Sequence, residues 1–198
     1  MATGSPTSAS TCSSWEPDAS APTVTTPLQG AQVTLRSATN ADIPELAGIR
    51  ATPEVLRWWR GGGDMTAAVT DDLAQPDVET FVIEHEGKIA GAIQWQAETE
   101  PDYMHANIDI YVDPVLHGRG IGSDAVRTLA KHLLTDRGHH RLVIDPAADN
   151  TAAIRCYSKV GFRPVGVMRH YERSADGTWH DGLLMDLLAD ELTNNPVA

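Results

Sequence analysis

The chain has 198 residues and sets 15 Lys+Arg against 27 Asp+Glu, a formal net charge of −12. That length suits one large domain able to build a core without staples. The acidic balance argues against nucleic acid or an anionic membrane as partner, because phosphate surfaces attract Lys and Arg and repel carboxylates. It favours a cationic ligand, or simple solubility. Cys12 and Cys156 are too few for a disulfide framework or a Cys-based zinc site. No apolar run reaches the ~18 residues a membrane helix needs. The N-terminus lacks the basic and apolar regions of a signal peptide, so a cytoplasmic location is expected.

Sixteen of residues 1–30 are Ser, Thr or Pro, and no Lys or Arg precedes Arg36. Such a segment cannot bury enough apolar surface to offset its ordering entropy, so it is expected to be a disordered extension. It holds only Glu16 and Asp18, which leaves −10 of the charge in the remainder. From there to 192 one domain is expected, with 193–198 as a flexible tail. Gln32–Arg36 reads as a strand. A helix follows, opened at Thr39 or Asn40 and running to about Arg50. A second starts at Pro53, capped by Thr52, and ends in Leu56-Arg57-Trp58-Trp59 before Gly61-Gly62-Gly63. Thr66–Gln75 reads as a helix, and Glu79–Glu84 and Ile89–Gln96 as a hairpin around Glu86-Gly87. Ala106–Val112 is a strand with Asp109 and Tyr111 on one face and Ile108, Ile110 and Val112 on the other.

Pro114 stops that strand, and His117-Gly118-Arg119-Gly120-Ile121-Gly122 opens a helix over Ser123–Thr135 with the stripe Val126, Leu129, Ala130, Leu133. Arg141–Ile144 is a buried strand. Asn150 caps a helix over Thr151–Val160, which Gly161 stops. A hairpin closes the chain: Phe162–Arg173, the turn Ala175-Asp176-Gly177, then Thr178–Leu188.

Two stretches carry chemistry. Gly118, Gly120 and Gly122 let the backbone approach a ligand closely, and the helix behind them adds unpaired N–H groups and its dipole, so a phosphate or pyrophosphate fits there. No Gly-Lys-Ser/Thr follows, which excludes a Walker loop, and the spacing is not that of a dinucleotide fingerprint. A tight strand-to-helix turn is the purely structural alternative. In the second stretch, Asn150 to Phe162, Tyr157 lies two helical turns past the cap and can face the same mouth. There its hydroxyl can serve as general acid to a thiolate leaving group. On the helix alone, a ring packed on the sheet is the stronger reading.

Together these stretches resemble the GNAT superfamily of acyl-CoA-dependent N-acetyltransferases. The family's pyrophosphate signature is Gln/Arg-x-x-Gly-x-Gly/Ala, and His117 stands here in the first place. The Asn…Ala…Tyr…Gly-Phe pattern runs from Asn150 to Phe162, and the order of elements fits from Val33 to Leu188. Within the superfamily the chain looks most like the aminoglycoside 6′-N-acetyltransferases. Trp58-Trp59 before glycines, Ile108-Asp109 ahead of the loop, and Asp145-Pro146…Ile154-Arg155-Cys156-Tyr157 carry that likeness.

The resemblance implies one α/β (α+β) domain of the GNAT fold, a mixed central sheet flanked by helices. It implies acetyl-CoA held by Ile110, Val112, His117, Gly118, Arg119, Gly120, Ile121, Gly122, Ser123 and Asn150. An aminoglycoside, or another small cationic amine, would be held by Trp58, Asp109 and Asp145. The aminoglycoside enzymes carry a further acid near the end of the strand Ile89–Gln96, sought here among Gln94, Glu98, Glu100 and Asp102. The activity implied is acetylation of the 6′-amine, conferring resistance, in a monomer or homodimer without metal. An amine near its reference pKa of about 10 is protonated at neutral pH, so a base must act first. Asp109 takes that role, a backbone N–H of its strand steadies the acetyl oxygen, and Tyr157 protonates the departing thiolate. Acetylation of a protein N-terminus, a polyamine or a siderophore precursor is the alternative on the same fold. A non-catalytic CoA- or drug-binding protein is the alternative from another class. His139-His140 reads as solvent-exposed rather than functional.

Overall fold

The structure, a computed structural model, describes residues 26–59, 63–174 and 177–192. One sheet holds β1 (Leu28–Gln29), β2 (Thr34–Ser37), β3 (Val78–His85), β4 (Lys88–Glu98), β5 (His105–Val112), β6 (Arg141–Ile144), β7 (Arg163–Arg173) and β8 (Trp179–Leu188). Their spatial order is β1-β2-β3-β4-β5-β6-β8-β7. The helices are α1 (Ile43–Arg50), α2 (Pro53–Leu56), α3 (Met65–Leu73), α4 (Ile121–Thr135) and α5 (Thr151–Val160). Among the described strands, β5 and β6 pair parallel and the other neighbours antiparallel, so the sheet is mixed.

Both faces of the sheet are covered, which is why its central strands read as apolar runs rather than alternations. On one face Phe81, Ile83, Ile93, Ile108, Leu142 and Met185 meet the buried stripe of α4, Val126, Leu129, Ala130 and Leu133. On the other, the intervening Val82, Ala92 and Tyr111 pack against Ile43, Leu46 and Ile49 of α1 and Val69 of α3. Burying each Leu or Ile of this kind contributes about 2 kcal/mol. Helix α1 follows a 3-10 turn at Asn40–Asp42, where Thr39 and Asp42 cap each other reciprocally.

Most expected boundaries move by one to three residues, and two departures matter more. Helix α2 ends at Leu56, and Trp58 and Trp59 follow in turns rather than in the helix. At the N-terminus, Leu28–Gln29 pair with Leu35 and Thr34, inside the segment expected to be disordered. The reason is Asp124, buried in the first turn of α4, whose carboxylate accepts the N–H groups of Ala31, Gln32 and Val33 at 3.1, 2.7 and 3.0 Å. The expectations for residues 1–25 and 193–198, and for Gly61, Gly62, Ala175 and Asp176, lie outside the described residues.

One irregularity positions the site. Strand β5 pairs with β6 at Ala106↔Leu142 and Asn107↔Val143, and then the two part. Beyond that point β5 stays on β4 as far as Gly91↔Val112, while β6 stays on β8 through Ile144↔Met185. Each strand follows its other neighbour, and a wedge opens in the middle of the sheet.

Candidate active site

The wedge widens into a cleft of about 1100 Å³, walled by the second half of β5, the end of β6, α2, the glycine loop, α5 and part of β7. That volume suits two substrates side by side rather than one small ligand.

The β5 wall offers backbone as well as side chains. Asp113 N–H donates to the Ala90 carbonyl at 2.8 Å. Alternation down the antiparallel ladder then turns the backbone groups of Tyr111 and Asp109 toward β4, and those of Ile110 and Val112 toward the cleft. Both residues line it. The Val112 carbonyl accepts a hydrogen bond from His117 Nε2 at 2.8 Å. A carbonyl only accepts, so this nitrogen carries the proton, and the ring braces the start of the glycine loop against the strand.

Gly118 and Gly120 have φ of +76° and +86°, the left-handed region that favours glycine, and Gly120 is the N-cap of α4. Asp124 N–H closes the first helical turn onto the Gly120 carbonyl at 3.0 Å. The N–H groups of Ile121, Gly122 and Ser123 therefore stand ahead of the ladder, at the positive end of the helix. A Cβ at Gly122 would stand 3.5 Å from Cys156 Sγ and 3.8 Å from a Val112 methyl, bridging the cleft walls. Its absence leaves a cradle lined by N–H groups, which fits the pyrophosphate of a nucleotide cofactor such as CoA. Asn150 caps α5 through Ala153 N–H at 3.1 Å and lines the same cleft.

Arg119 is exposed and does not line the cleft, contrary to the expectation that it flanks the phosphates. The loop's left-handed turns carry its side chain elsewhere. Arg155 and Lys159 on α5, which sequence reasoning passed over, are the cations on that wall. Their spacing of four residues puts them on one face of the helix, a signal present in the sequence.

Carboxylates occupy the other end. Asp109 and Asp145 both line the cleft, and both raise the affinity of the buried Tyr157 hydroxyl for its proton. Burial is the larger cause there, and it pushes the phenol above its ordinary range. Asp109 is pushed up to about 6, first by burial and then by the charge of Asp145, while a hydrogen bond from Gln94 opposes the rise. Its carboxylate is open to the cleft and walled by protein on its other sides. Asp145 is raised by burial and by Glu172, against a hydrogen bond from Tyr171. The further acid sought along β4 does not come from there. Glu98 pairs with His105 at the closed end of the wedge, Glu100 and Asp102 lie beyond it, and none lines the cleft. Gln94 instead pairs with Asp109. The additional lining carboxylates are Glu54 of α2 and Glu172 of β7.

Both tryptophans line the cleft, and Trp59 also packs on the core. Trp59 packs edge-on against Tyr111, with centroids 4.9 Å apart, beside Arg50, which pairs with Asp72. Trp58 lines the cleft with the Arg57 guanidinium 4.4 Å from its ring centre. His139 is half-buried edge-on against Trp95 at 5.4 Å, rather than solvent-exposed as expected.

The wedge between parallel strands thus joins a glycine loop and helix N-terminus, suited to a phosphate, to a buried Tyr and carboxylates suited to an amine. The acetyltransferase (GNAT) domain family matches residues 32–163. The chain belongs to the GNAT acetyltransferase family. It is 28% identical over 155 residues to aminoglycoside N(6′)-acetyltransferase type 1 of Klebsiella pneumoniae, covering 69% of this chain and 76% of that protein. It is 32% identical over 145 residues to the N-alpha-acetyltransferase RimI of Mycobacterium tuberculosis, covering 71% and 85%. The solved structure of AAC(6′)-Ib with ribostamycin and coenzyme A superposes with a TM-score of 0.68 at 26% identity, over 84% of this chain and 99% of that one. This GNAT protein is thus an acetyl-CoA-dependent acetyltransferase, and its relatives act on more than one class of amine.

Proposed function

We propose that this acetyltransferase modifies the 6′-amine of an aminoglycoside, with resistance as the consequence. The observation that carries the reading is the set of carboxylates, Asp109, Asp145 and Glu172, facing one cleft from three different strands or strand ends. Such a mouth attracts a polycation, more strongly at low salt. The likeness to aminoglycoside N(6′)-acetyltransferase type 1 supports the same substrate.

Acetyl-CoA supplies an activated acetyl group as a thioester. The chain's own residues do the rest. Ionised Asp109 draws the ammonium in and takes its proton, directly or through water, leaving a neutral nucleophile. The inward N–H groups of β5 offer a hydrogen bond to the acetyl oxygen as negative charge gathers there. Tyr157, held protonated by its burial, gives its proton to the departing sulfur, and the second proton that the nitrogen sheds as the amide forms restores the phenol. The cradle at α4 and the ring of Trp58 fix the two reactants in register, which supplies much of the acceleration.

A second reading is acetylation of a protein N-terminus, favoured by the 32% identity with RimI. A single α-amine uses one carboxylate of the mouth rather than three. Release of free thiol from acetyl-CoA, followed with kanamycin, tobramycin, a polyamine and an N-terminal peptide, separates the readings. Turnover of the drugs, with the acetyl group located by NMR on the 6′-nitrogen, is expected. Thiol release with the peptide alone refutes the aminoglycoside reading.

A further inference from the structure

The β7–β8 hairpin is not a regular ladder. Met168 pairs with Gly182 and Glu172 with His180, so four steps on β7 are matched by two on β8. The surplus residues form a bulge. At its centre His170 adopts φ of +50°, a left-handed conformation uncommon outside glycine, and its N–H donates to Asp181 Oδ1 at 2.8 Å. Bulges re-aim side chains next to active sites. This one brings Tyr171 and Glu172 to the wall of the cleft, Glu172 half-buried and Tyr171 still exposed.

Four contacts hold that arrangement. The Tyr171 hydroxyl donates to the Asp145 carboxylate. Its ring lies against Gly182, where a Cβ would come within 2.8 Å of Tyr171 Cδ1 and 3.1 Å of Met168 Cε. The segment after Asp145 is zipped to β8, through Leu183 N–H to the Pro146 carbonyl and Ala148 N–H to the Asp181 carbonyl, each at 2.8 Å. Asp145 and the bulge are therefore one rigid unit, and the negative charge of Glu172 is felt at Asp109, Asp145 and Tyr171 alike.

We propose that the β7 bulge selects the acceptor: Glu172 receives a second ammonium of a multiply charged amine while the reacting amine lies at Asp109, and Tyr171 is the positioning residue that orients Asp145 between them. This rests on the small-polycation reading of the site and adds which residues count the charges. An amine with one cationic centre makes no use of Glu172, so discrimination between multiply and singly charged acceptors belongs to the hairpin rather than to the catalytic strand.

The test compares kanamycin with 6-amino-6-deoxyglucose, a sugar with one amine, by titration calorimetry on the full chain, together with the thiol-release rate. Wild-type protein is expected to prefer kanamycin, with the preference shrinking at high salt. Glu172→Gln reduces the ratio of the two affinities by about fivefold or more, the loss of one charge contact, and Glu172→Asp restores part of it. Tyr171→Phe raises the Kd for kanamycin with little change in the rate at saturation, as a positioning role requires. Thermal melts matching wild type establish that the variants are folded, and Gly182→Ala, which displaces the Tyr171 ring, reduces the same ratio. An unchanged ratio in Glu172→Gln overturns the inference, as does a wild-type protein with no preference. A wild type that binds kanamycin preferentially without acetylating it refutes the proposed function and leaves the assignment of Glu172 standing.

Discussion

In the proposed reaction Asp109 is the base, and Gln94 is the side chain that holds the Asp109 carboxyl down. Burial and the charge of Asp145 push this carboxyl up to about 6, and the Gln94 amide donates the hydrogen bond that opposes them. Replacing Gln94 with Leu keeps the volume and removes the donor. A hydrogen bond to a charged group contributes about 1.5–3 kcal/mol, and at a carboxylate open to the cleft the lower figure applies. At 1.36 kcal/mol per unit, the acid limb of the pH–rate profile then rises by about one unit, from near 6 to near 7. Asp145→Asn acts in the opposite sense: it removes a like charge, and the limb moves down. The assay is initial thiol release at saturating acetyl-CoA across pH 5 to 9, read as kcat/KM for the amine. Gln94→Leu loses most activity at pH 6 and little at pH 8.5, where Asp109 is ionised in both proteins. A limb that stays in place in both variants removes Asp109 from the base role. So does a Gln94→Leu defect equal at every pH.

Further outcomes follow from the same geometry. Tyr157→Phe lowers kcat by about tenfold or more, with the KM for acetyl-CoA within about twofold, in steady-state kinetics; the reverse pattern makes Tyr157 a packing residue. Gly122→Ala folds normally, since its Cβ meets ordinary contact distances, but raises the KM for acetyl-CoA by about fivefold or more by filling the cradle. Asp109→Asn stabilises the fold while abolishing most activity. A carboxyl raised in the folded state costs stability once the pH passes its unfolded value near 4, with the full cost present above about 6. Discounted for its exposure to the cleft, the gain is about 1 kcal/mol, or 2–4 °C in Tm at pH 8, and it vanishes at pH 4. Asp124→Ala lowers stability by about 3 kcal/mol in urea melts, because three backbone N–H groups lose their acceptor.

What could be read in the sequence was local. The cap at Asn150, the stripe of α4 and the glycine stop at Gly161 each depend on neighbours within a turn or two, and each stands where the pattern put it. Ile110 and Val112 were named through the family resemblance, and both line the cleft. What escaped depends on partners far along the chain. Asp124 sits amid helical sequence, and nothing there announces that it secures residues 31–33 some ninety positions earlier. The parting of β5 from β6 is set by their separate loyalties to β4 and β8, which no single strand encodes. Glu172 lay beyond reach for a similar reason: a bulge changes which face a side chain takes, so the alternation of β7 does not reveal that Tyr171 and Glu172 reach the cleft. Arg119 misled because its neighbours in sequence line the cleft while its own side chain does not.

The central claim is that the acidic end of this cleft receives a small polycation and acetylates it. The direct measurement is a competition in one vessel, with kanamycin and an N-terminal peptide at equal concentration, limiting acetyl-CoA, and products resolved by mass spectrometry. Acetylated kanamycin is expected to dominate, and Asp109→Asn to suppress it. Acetylated peptide as the main product, with kanamycin left unmodified, contradicts the account.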